Sequence, residues 1–174
     1  METKANRTKV RSIIEQNLYM TIATCDKSNN LPWISPVFYV HDRNYNLYWY
    51  SPKKANHSQL IAFNPNIAIV IFDSTAIGDE VDAVYLRAKA LEVKSKLEIF
   101  KGLMFYAKKM LKYNLVEGKQ TLTKFVNSYR DFQKNSPLRM YKAIPEKIWK
   151  LAPTEYYKDK YLDRKIEIKL VPKI

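Results

Sequence analysis

The sequence predicts a mainly β fold: an antiparallel barrel of six or seven strands with a few helices, formed by one domain over residues 1–174. Several segments alternate apolar and polar residues with a period of two, which is typical of half-buried strands. The first connections are five or six residues long, too short for the helical crossovers of a parallel sheet. Aromatic residues, which favour pleated sheets, make up 13% of the chain.

The N-terminal half begins with a helix and continues with strands. Val10, Ile13 and Ile14 recur at helical spacing and predict a helix over residues 7–17. Turn-forming residues at 26–30 and 41–46 then separate three predicted strands, at 18–25, 33–40 and 47–51. Pro36 lies inside the second strand and cannot donate to a central ladder, so we expect that strand to be bulged or at an edge.

Two longer strands follow a short helical turn at residues 59–63. The Asn64-Pro65-Asn66 sequence ends that turn, and residues 67–72 form a strand that is apolar on both faces. Residues 83–93 alternate cleanly, which predicts one buried face. That face contains Val84, Leu86, Ala88 and Ala90.

A helical insertion is predicted over residues 95–134. Ser95 and Glu98 form a capping box, and Gly118 separates two apolar stripes. The stripes consist of Ile99/Phe100, Leu103, Ala107, Met110/Leu111, and then Leu122, Phe125/Val126, Tyr129, Phe132. Strands are predicted again at 139–144 and 147–151, joined around Pro145, and at 164–171.

Composition limits the classes of function. The single cysteine, Cys25, excludes an internal disulfide, and no His/Cys group has metal-ligand spacing, so no metal is expected. The first residues lack an apolar run long enough for a signal peptide or a membrane span, so we expect a soluble cytoplasmic protein without a membrane partner. The net charge of +13 attracts anions. Its lysines are spaced at helical intervals without a nucleic-acid-binding motif, so nucleic acid is not the expected partner.

Familiar catalytic motifs are absent from the sequence. It has no G-x-S-x-G, P-loop or G-x-G-x-x-G pattern, and its two histidines, His41 and His57, are 16 residues apart. What remains is a polar stretch at residues 51–58 that leads into a helical turn. Hydroxyls, cations and free backbone N–H groups at a helix start are the groups that bind anions. The stretch supplies Ser51, Lys53, Lys54, Asn56, His57 and Ser58.

The order of four segments resembles a known family. Four segments, in this order, are similar to those of the FMN-binding split barrels related to pyridoxamine 5′-phosphate oxidase. They are PWISPVFYV, LYWYS, ANHSQLIAFNPNIAIVIFDS and AVYLRAKALEV. The resemblance covers residues 7–95 and continues more loosely through residues 139–149. It implies an antiparallel split barrel of the FMN-binding type and a homodimer with the flavin at the subunit interface. FMN itself would carry hydride or electron transfer, so no acid–base dyad is needed.

The resemblance also implies a cofactor site, residue by residue. Three short segments match parts of the family's flavin site. The strand along the isoalloxazine ring is matched by Ser35, Pro36 and Val37, and the strand end beside the ribityl and phosphate groups by Tyr50 and Ser51. The phosphate-binding loop is matched by Asn56, His57 and Ser58. Lys53 and Lys54 would supply charge to the phosphate, Phe72 ends the following strand, and Trp149 would cover the flavin from the other side.

The sequence departs from the oxidase at important positions. Asn56 and His57 stand where the oxidase has an Arg-Lys pair, and Ser35 and Val40 replace its strand arginine and lysine. We therefore expect a flavoprotein, an FMN-dependent oxidoreductase whose substrate is not pyridoxamine phosphate. Three alternatives remain open: a deazaflavin in place of FMN, a non-catalytic haem or flavin-storage barrel with His41 or His57 as haem ligands, and a basic nucleic-acid-binding barrel.

Overall fold

The computed structural model describes residues 2–77, 81–116, 123, 125, 127–132, 135–153, 156–158, 160–162 and 164–169. The helices are α1 Lys4–Gln16, α2 Asn56–Phe63 and α3 Lys96–Lys112, with a 3₁₀ turn at Ser128–Phe132. The strands are β1 Tyr19–Cys25, β2 Pro32–Phe38, β3 Val40–His41, β4 Leu47–Pro52, β5 Asn66–Phe72, β6 Ala83–Glu92, β7 Leu138–Leu151, β8 Tyr156–Tyr157, β9 Lys160–Tyr161 and β10 Lys165–Glu167.

The main sheet is antiparallel and curls into an incomplete barrel. Its strand order is β2-β1-β5-β6-β7-β4-β3, with β10 added to β7. The chain breaks the ladder at Tyr39, between β2 and β3, where the Tyr39 hydroxyl donates to the carbonyl of Ile14 at 2.6 Å. The antiparallel barrel predicted from the sequence is confirmed. Pro36 lies on β2, where it pairs with Thr21 of β1. β2 is an edge strand, as expected because proline cannot donate to a central ladder.

Two clusters of buried side chains stabilise the fold. The barrel interior contains Trp49, which is fully buried and stacks on Tyr141 with ring centroids 5.6 Å apart. The apolar face of α1 closes one part of this core with Val10, Ile13 and Ile14. A second cluster lies outside the barrel, where α3 covers β3 and β4.

The insertion is anchored by its first helix. Ser95 caps α3 as predicted, and its hydroxyl accepts from the Glu98 N–H at 3.4 Å. Lys109 of α3 donates to the carbonyls of Asn17 and Tyr39, at 2.6 and 2.8 Å. Gly118, Leu122 and Val126, which belong to the predicted second helix and its boundary, lie outside the described residues.

The α3 stripe predicted from the sequence is only partly correct. Ile99, Leu103 and Ala107 are buried, whereas Phe100 and Leu111 are on the exposed face of the helix. Tyr106 takes their place in the buried face, where it contacts the rings of Phe125 and Phe38.

Three strand predictions near the C-terminus differ from the structure. Residues 139–144 and 147–151 form one continuous strand, β7, because a bulge opposite Arg87 and Ala88 leaves Glu146 unpaired in the ladder. Glu146 instead forms ion pairs with Arg87 and Lys89. The final strand is shorter than predicted, spanning Lys165–Glu167. The β8–β9 hairpin was not predicted. Among the described residues, no helix is both long and apolar enough to span a membrane.

Candidate functional site

A buried histidine joins two serines at one mouth of the barrel. His57, near the start of α2, has its Nδ1 atom 3.1 Å from the Ser35 hydroxyl of β2 and its Nε2 atom 2.9 Å from the Ser51 hydroxyl of β4. Ser35 also accepts a hydrogen bond from the Trp33 indole at 3.0 Å. The structure thus brings three predicted site residues, from three separate elements, into direct contact.

Burial determines the charge of the His57 side chain. It lowers the pKa of His57, so the imidazole is neutral near pH 7, with one N–H donor and one acceptor nitrogen. If His57 donates to one serine, the other serine must donate to His57. One of the two serine hydroxyls therefore keeps a hydrogen that it can donate elsewhere. The site can offer at least one hydroxyl donor to a bound anion.

The start of α2 adds positive electrostatic potential beside these hydroxyls. Ala55 precedes the helix and provides no side-chain cap, so the first N–H groups of α2 have no capping side chain. Lys53 and Lys54 are exposed on the loop just before it, and Asn56 is exposed at its first residue. The Lys53 N–H donates to the Pro137 carbonyl at 2.7 Å, which fixes this loop against the start of β7.

An arginine of β7 completes the mouth. Arg139 is the cross-strand partner of Ser51, so both side chains lie on the same face of the sheet. Arg139 is buried and pairs with Glu92 of β6 at 3.2 Å. Ser58 and Tyr141 are buried nearby. Burial raises the pKa of Tyr141, and contact with Ser58 and Arg139 opposes part of that rise.

Two cavities border this mouth. One of about 720 Å³ is lined in part by Lys53, Ser58 and Tyr141. The other, of about 750 Å³, is lined in part by Arg139 and the start of α3. Glu92 and Lys94 line both cavities, so the two adjoin at the end of β6. Each has the volume typical of a ligand pocket, about 300–1,000 Å³.

Other predicted site residues lie apart from His57. Val37 is buried in the barrel core, and Pro36 is exposed on the outer face of β2. The Tyr50 ring points away from Ser51 and packs on Tyr106 and Phe132 of the insertion, with ring centroids 5.0 and 5.8 Å away. Within one chain, the Tyr50 ring therefore packs against the second cluster.

Phe72 and Trp149 are also separate from this mouth. Phe72 is exposed at the end of β5. Trp149 lies on β7, ten residues beyond Arg139, where it pairs with Tyr85 of β6. Ten residues of extended strand span roughly 30 Å. Trp149 and Ser51 of the same chain therefore do not contact one ligand of ordinary size.

The histidines offer little for iron ligation. Both ring nitrogens of His57 already face serine hydroxyls, so ligation would break one of these hydrogen bonds. His41 stacks on Tyr45 and borders a cavity of about 280 Å³. In the part of the chain that the structure describes, no group of three or more His, Cys, Asp or Glu side chains could hold a metal ion.

Arg139 is the main residue that the sequence analysis did not assign to the site. Its signals in the sequence are its position at the start of the looser resemblance, over residues 139–149, and its charge among the apolar residues of a strand. Its register with Ser51 and its pairing with Glu92 depend on the order of the strands in the sheet.

The architecture and the position of this mouth define a class, the split β-barrel. The family model for pyridoxamine 5′-phosphate oxidase matches residues 7–157, and the chain belongs to this family. No curated protein matches the sequence significantly.

Solved structures share this fold at low sequence identity. A candidate 5-nitroimidazole antibiotic resistance protein from Bacteroides thetaiotaomicron is 14% identical, with a TM-score of 0.64 over 86% of this chain and 84% of that one. General stress protein 26 from Bacillus anthracis is also 14% identical (TM-score 0.55; 91% and 98% covered). The haem-storage protein HutZ from Vibrio cholerae is 14% identical (TM-score 0.57; 81% and 90% covered).

The mouth suits the phosphate of a flavin nucleotide, the cofactor implied by the resemblance to FMN-binding barrels. It combines hydroxyl groups, an uncapped helix start and two exposed lysines, which are the groups that bind phosphate. The mouth therefore has donors available and an adjoining cavity of suitable size.

Proposed function

We propose that this protein is a cytoplasmic FMN-binding oxidoreductase that works as a homodimer. The observation that carries the proposal is the convergence of Ser35, His57 and Ser51 beside the uncapped start of α2. These residues come from the three segments that resemble the family's flavin site. Bound FMN would supply hydride or electron transfer, and the protein would bind and orient it.

The phosphate is assigned to the start of α2. The N–H groups of the first helical turn and a serine hydroxyl would donate to its oxygens, and Lys53 and Lys54 would neutralise its charge. Arg139 contributes less charge to a ligand, because Glu92 already pairs with it. This arrangement replaces the fixed Arg-Lys pair of the oxidase with loop lysines and a neutral histidine.

A second copy of the chain would complete the flavin site. Trp149 is roughly 30 Å along β7 from the level of Ser51, so the two could contact the same flavin only from different subunits. The outer face of the sheet also suits an interface between copies. It exposes Ile34, Pro36, Ala68 and Phe72 on β2 and β5, the two strands that flank β1.

Pyridoxamine phosphate is not the proposed substrate. Ser35 is engaged with His57 and Trp33, and Val40 is buried in the second cluster, at the positions where the oxidase carries an arginine and a lysine. The proposal therefore covers a flavin-dependent redox reaction on another small molecule.

Identification of the bound chromophore tests this proposal. The protein is purified from cells grown without added cofactor and denatured, and the released compound is identified by absorbance and mass. FMN in the supernatant supports the proposal, and a deazaflavin would replace only the cofactor. If nothing is released and added FMN does not quench tryptophan fluorescence, flavin binding is refuted.

The phosphate assignment is tested with paired variants. Changing both Lys53→Ala and Lys54→Ala should weaken FMN binding by more than about tenfold, because charge-assisted contacts are lost. Riboflavin, which lacks the phosphate, should bind the variant and the parent equally. The exposed pair Lys158→Ala and Lys160→Ala, near the C-terminus, is the matched control and should leave both affinities unchanged.

Haem storage is the second candidate, because one structural neighbour is a haem-storage protein and another is a haem-binding protein. A Soret band in the purified protein would favour it. Loss of that band in His41→Ala would assign the ligand to His41, and loss in His57→Ala would assign it to the barrel mouth.

A further inference from the structure

Helix α3 has a second apolar face that the described part of the chain leaves partly exposed. Leu97, Phe100, Met104 and Leu111 are spaced three, four and seven residues apart, which puts them on one face of the helix. Leu97 is 64% exposed, and Phe100 and Leu111 are each 43% exposed. The opposite face of α3 packs on the barrel through Leu103 and Tyr106.

Exposed lysines border this outer face. Lys101 and Lys108 lie beside the stripe, and Lys112 follows at its C-terminal end. Lys94 and Lys96 are exposed at its start. The only carboxylate in α3 is Glu98, which pairs with Lys142 of β7 at 2.6 Å. The outer face therefore presents apolar side chains between cations, without a negative charge of its own.

We propose that the outer face of α3 binds the surface of an anionic lipid bilayer. An amphipathic helix with lysines beside an apolar stripe lies in the interface of such a bilayer, with its apolar side chains among the acyl chains. The long lysine side chains reach back to the lipid phosphates. Anionic lipids at a membrane surface attract such basic segments.

The charge of this face argues against two other occupants. A second copy packed symmetrically against it would bring Lys101, Lys108 and Lys112 of one chain close to the same residues of the other, with no acidic partner. A folded acidic protein would need pockets that fit these apolar side chains, whereas this face is the convex outer side of a helix that packs on the barrel. Leucine, phenylalanine and methionine side chains on a convex surface fit fluid acyl chains without a preformed pocket.

The apolar stripe is separate from the proposed flavin site, whereas Lys94 and Lys96 also line a cavity beside that site. The site is at the mouth formed by β2, β4 and the start of α2, and none of the four stripe residues contributes to it. Membrane-surface binding would require no spanning segment. It would direct the protein to anionic lipid through the four stripe residues and the lysines beside them.

The test measures co-sedimentation of the full chain with two kinds of vesicle. One is phosphatidylcholine alone, and the other is an equimolar mixture of phosphatidylcholine and phosphatidylglycerol. The protein should sediment with the mixed vesicles only, and added salt should release it. Phe100→Ser with Leu111→Ser should reduce the bound fraction at least about tenfold, as should Lys101→Gln, Lys108→Gln and Lys112→Gln together.

The controls distinguish binding through this face from non-specific binding of the protein to vesicles. Lys27→Gln with Leu31→Ser removes one exposed lysine and one exposed leucine from the β1–β2 turn, and it should bind like the parent. Thermal unfolding checks that each variant is folded. Absence of binding to the mixed vesicles, or binding that the α3 variants leave unchanged, would overturn the proposal. A change from dimer to monomer in Phe100→Ser with Leu111→Ser would also overturn it, because the face would then belong to a subunit interface.

Discussion

Lys109→Met removes a charged group that the fold holds away from water. The ammonium is buried between α3 and the barrel, where it lies 3.9 Å from the centroid of the Tyr39 ring. Burial, with a smaller effect of Lys112, lowers the pKa of Lys109 from 10.5 to about 7. Because the pKa in the folded state is below that of the unfolded chain, the unfolded chain binds more protons between these two values. The free energy of unfolding therefore rises with pH over this range.

The magnitude follows from the size of the pKa shift. Each pKa unit corresponds to about 1.4 kcal/mol, so the parent should gain about 2 kcal/mol relative to Lys109→Met from about pH 7.5 to about pH 9.5. This difference is lost again as the pH falls towards 7. Denaturant unfolding of both proteins at each pH measures it, and taking the difference cancels groups that titrate in both.

A matched variant makes the result specific. Lys108→Met removes the neighbouring lysine, which is exposed, and its difference from the parent should not vary with pH over the same range. A pH-independent difference for Lys109→Met as well would refute the reasoning. It would mean that the two carbonyl acceptors and the Tyr39 ring keep Lys109 charged in the folded protein at an ordinary pKa.

Three further predictions concern the site and the insertion. If the phosphate binds where we propose, Ser51→Ala should weaken FMN binding severalfold and riboflavin binding very little, because a hydroxyl donor of the proposed site is lost; equal losses for both ligands in fluorescence titrations would contradict this. Leu103→Ala should lower the free energy of unfolding by about 2–5 kcal/mol because Leu103 is fully buried, whereas Leu97→Ala should change it by less than about 0.5 kcal/mol. Glu92→Gln should destabilise the fold by about 1–3 kcal/mol by leaving the Arg139 cation without its carboxylate, and adding Arg139→Met should recover most of that loss, as chemical denaturation would show.

The sequence predicted most strands because each shows a local pattern. The alternation of β6 and the turn residues before β2 and β4 need no knowledge of the rest of the fold. Pro36 indicated an edge for the same reason. Pro145 was misleading, since a proline that ends a strand and one at a bulge look alike until the partner strand is known. The opposite faces of α3 were also confused, because both are apolar.

The residues of the barrel mouth could be predicted individually, but their arrangement could not. His57 contacts Ser35, which is 22 residues away, through a hydrogen bond that no local pattern encodes. The sequence suggested that His57 replaces a phosphate-binding cation of the oxidase. In the structure it is buried and neutral, and it holds Ser35 and Ser51 on two strands that do not pair with each other.

This role of His57 explains how the mouth can suit a phosphate without a buried cation from α2. An unpaired arginine or lysine at this depth would lose its hydration and would need a carboxylate, as Arg139 needs Glu92. A neutral imidazole needs only one donor and one acceptor, and the two serines supply both. The positive charge then resides on Lys53 and Lys54, which remain in water until an anion binds. Such a site would be stable when empty, and its affinity for an anion would depend on two exposed lysines whose attraction is screened by salt.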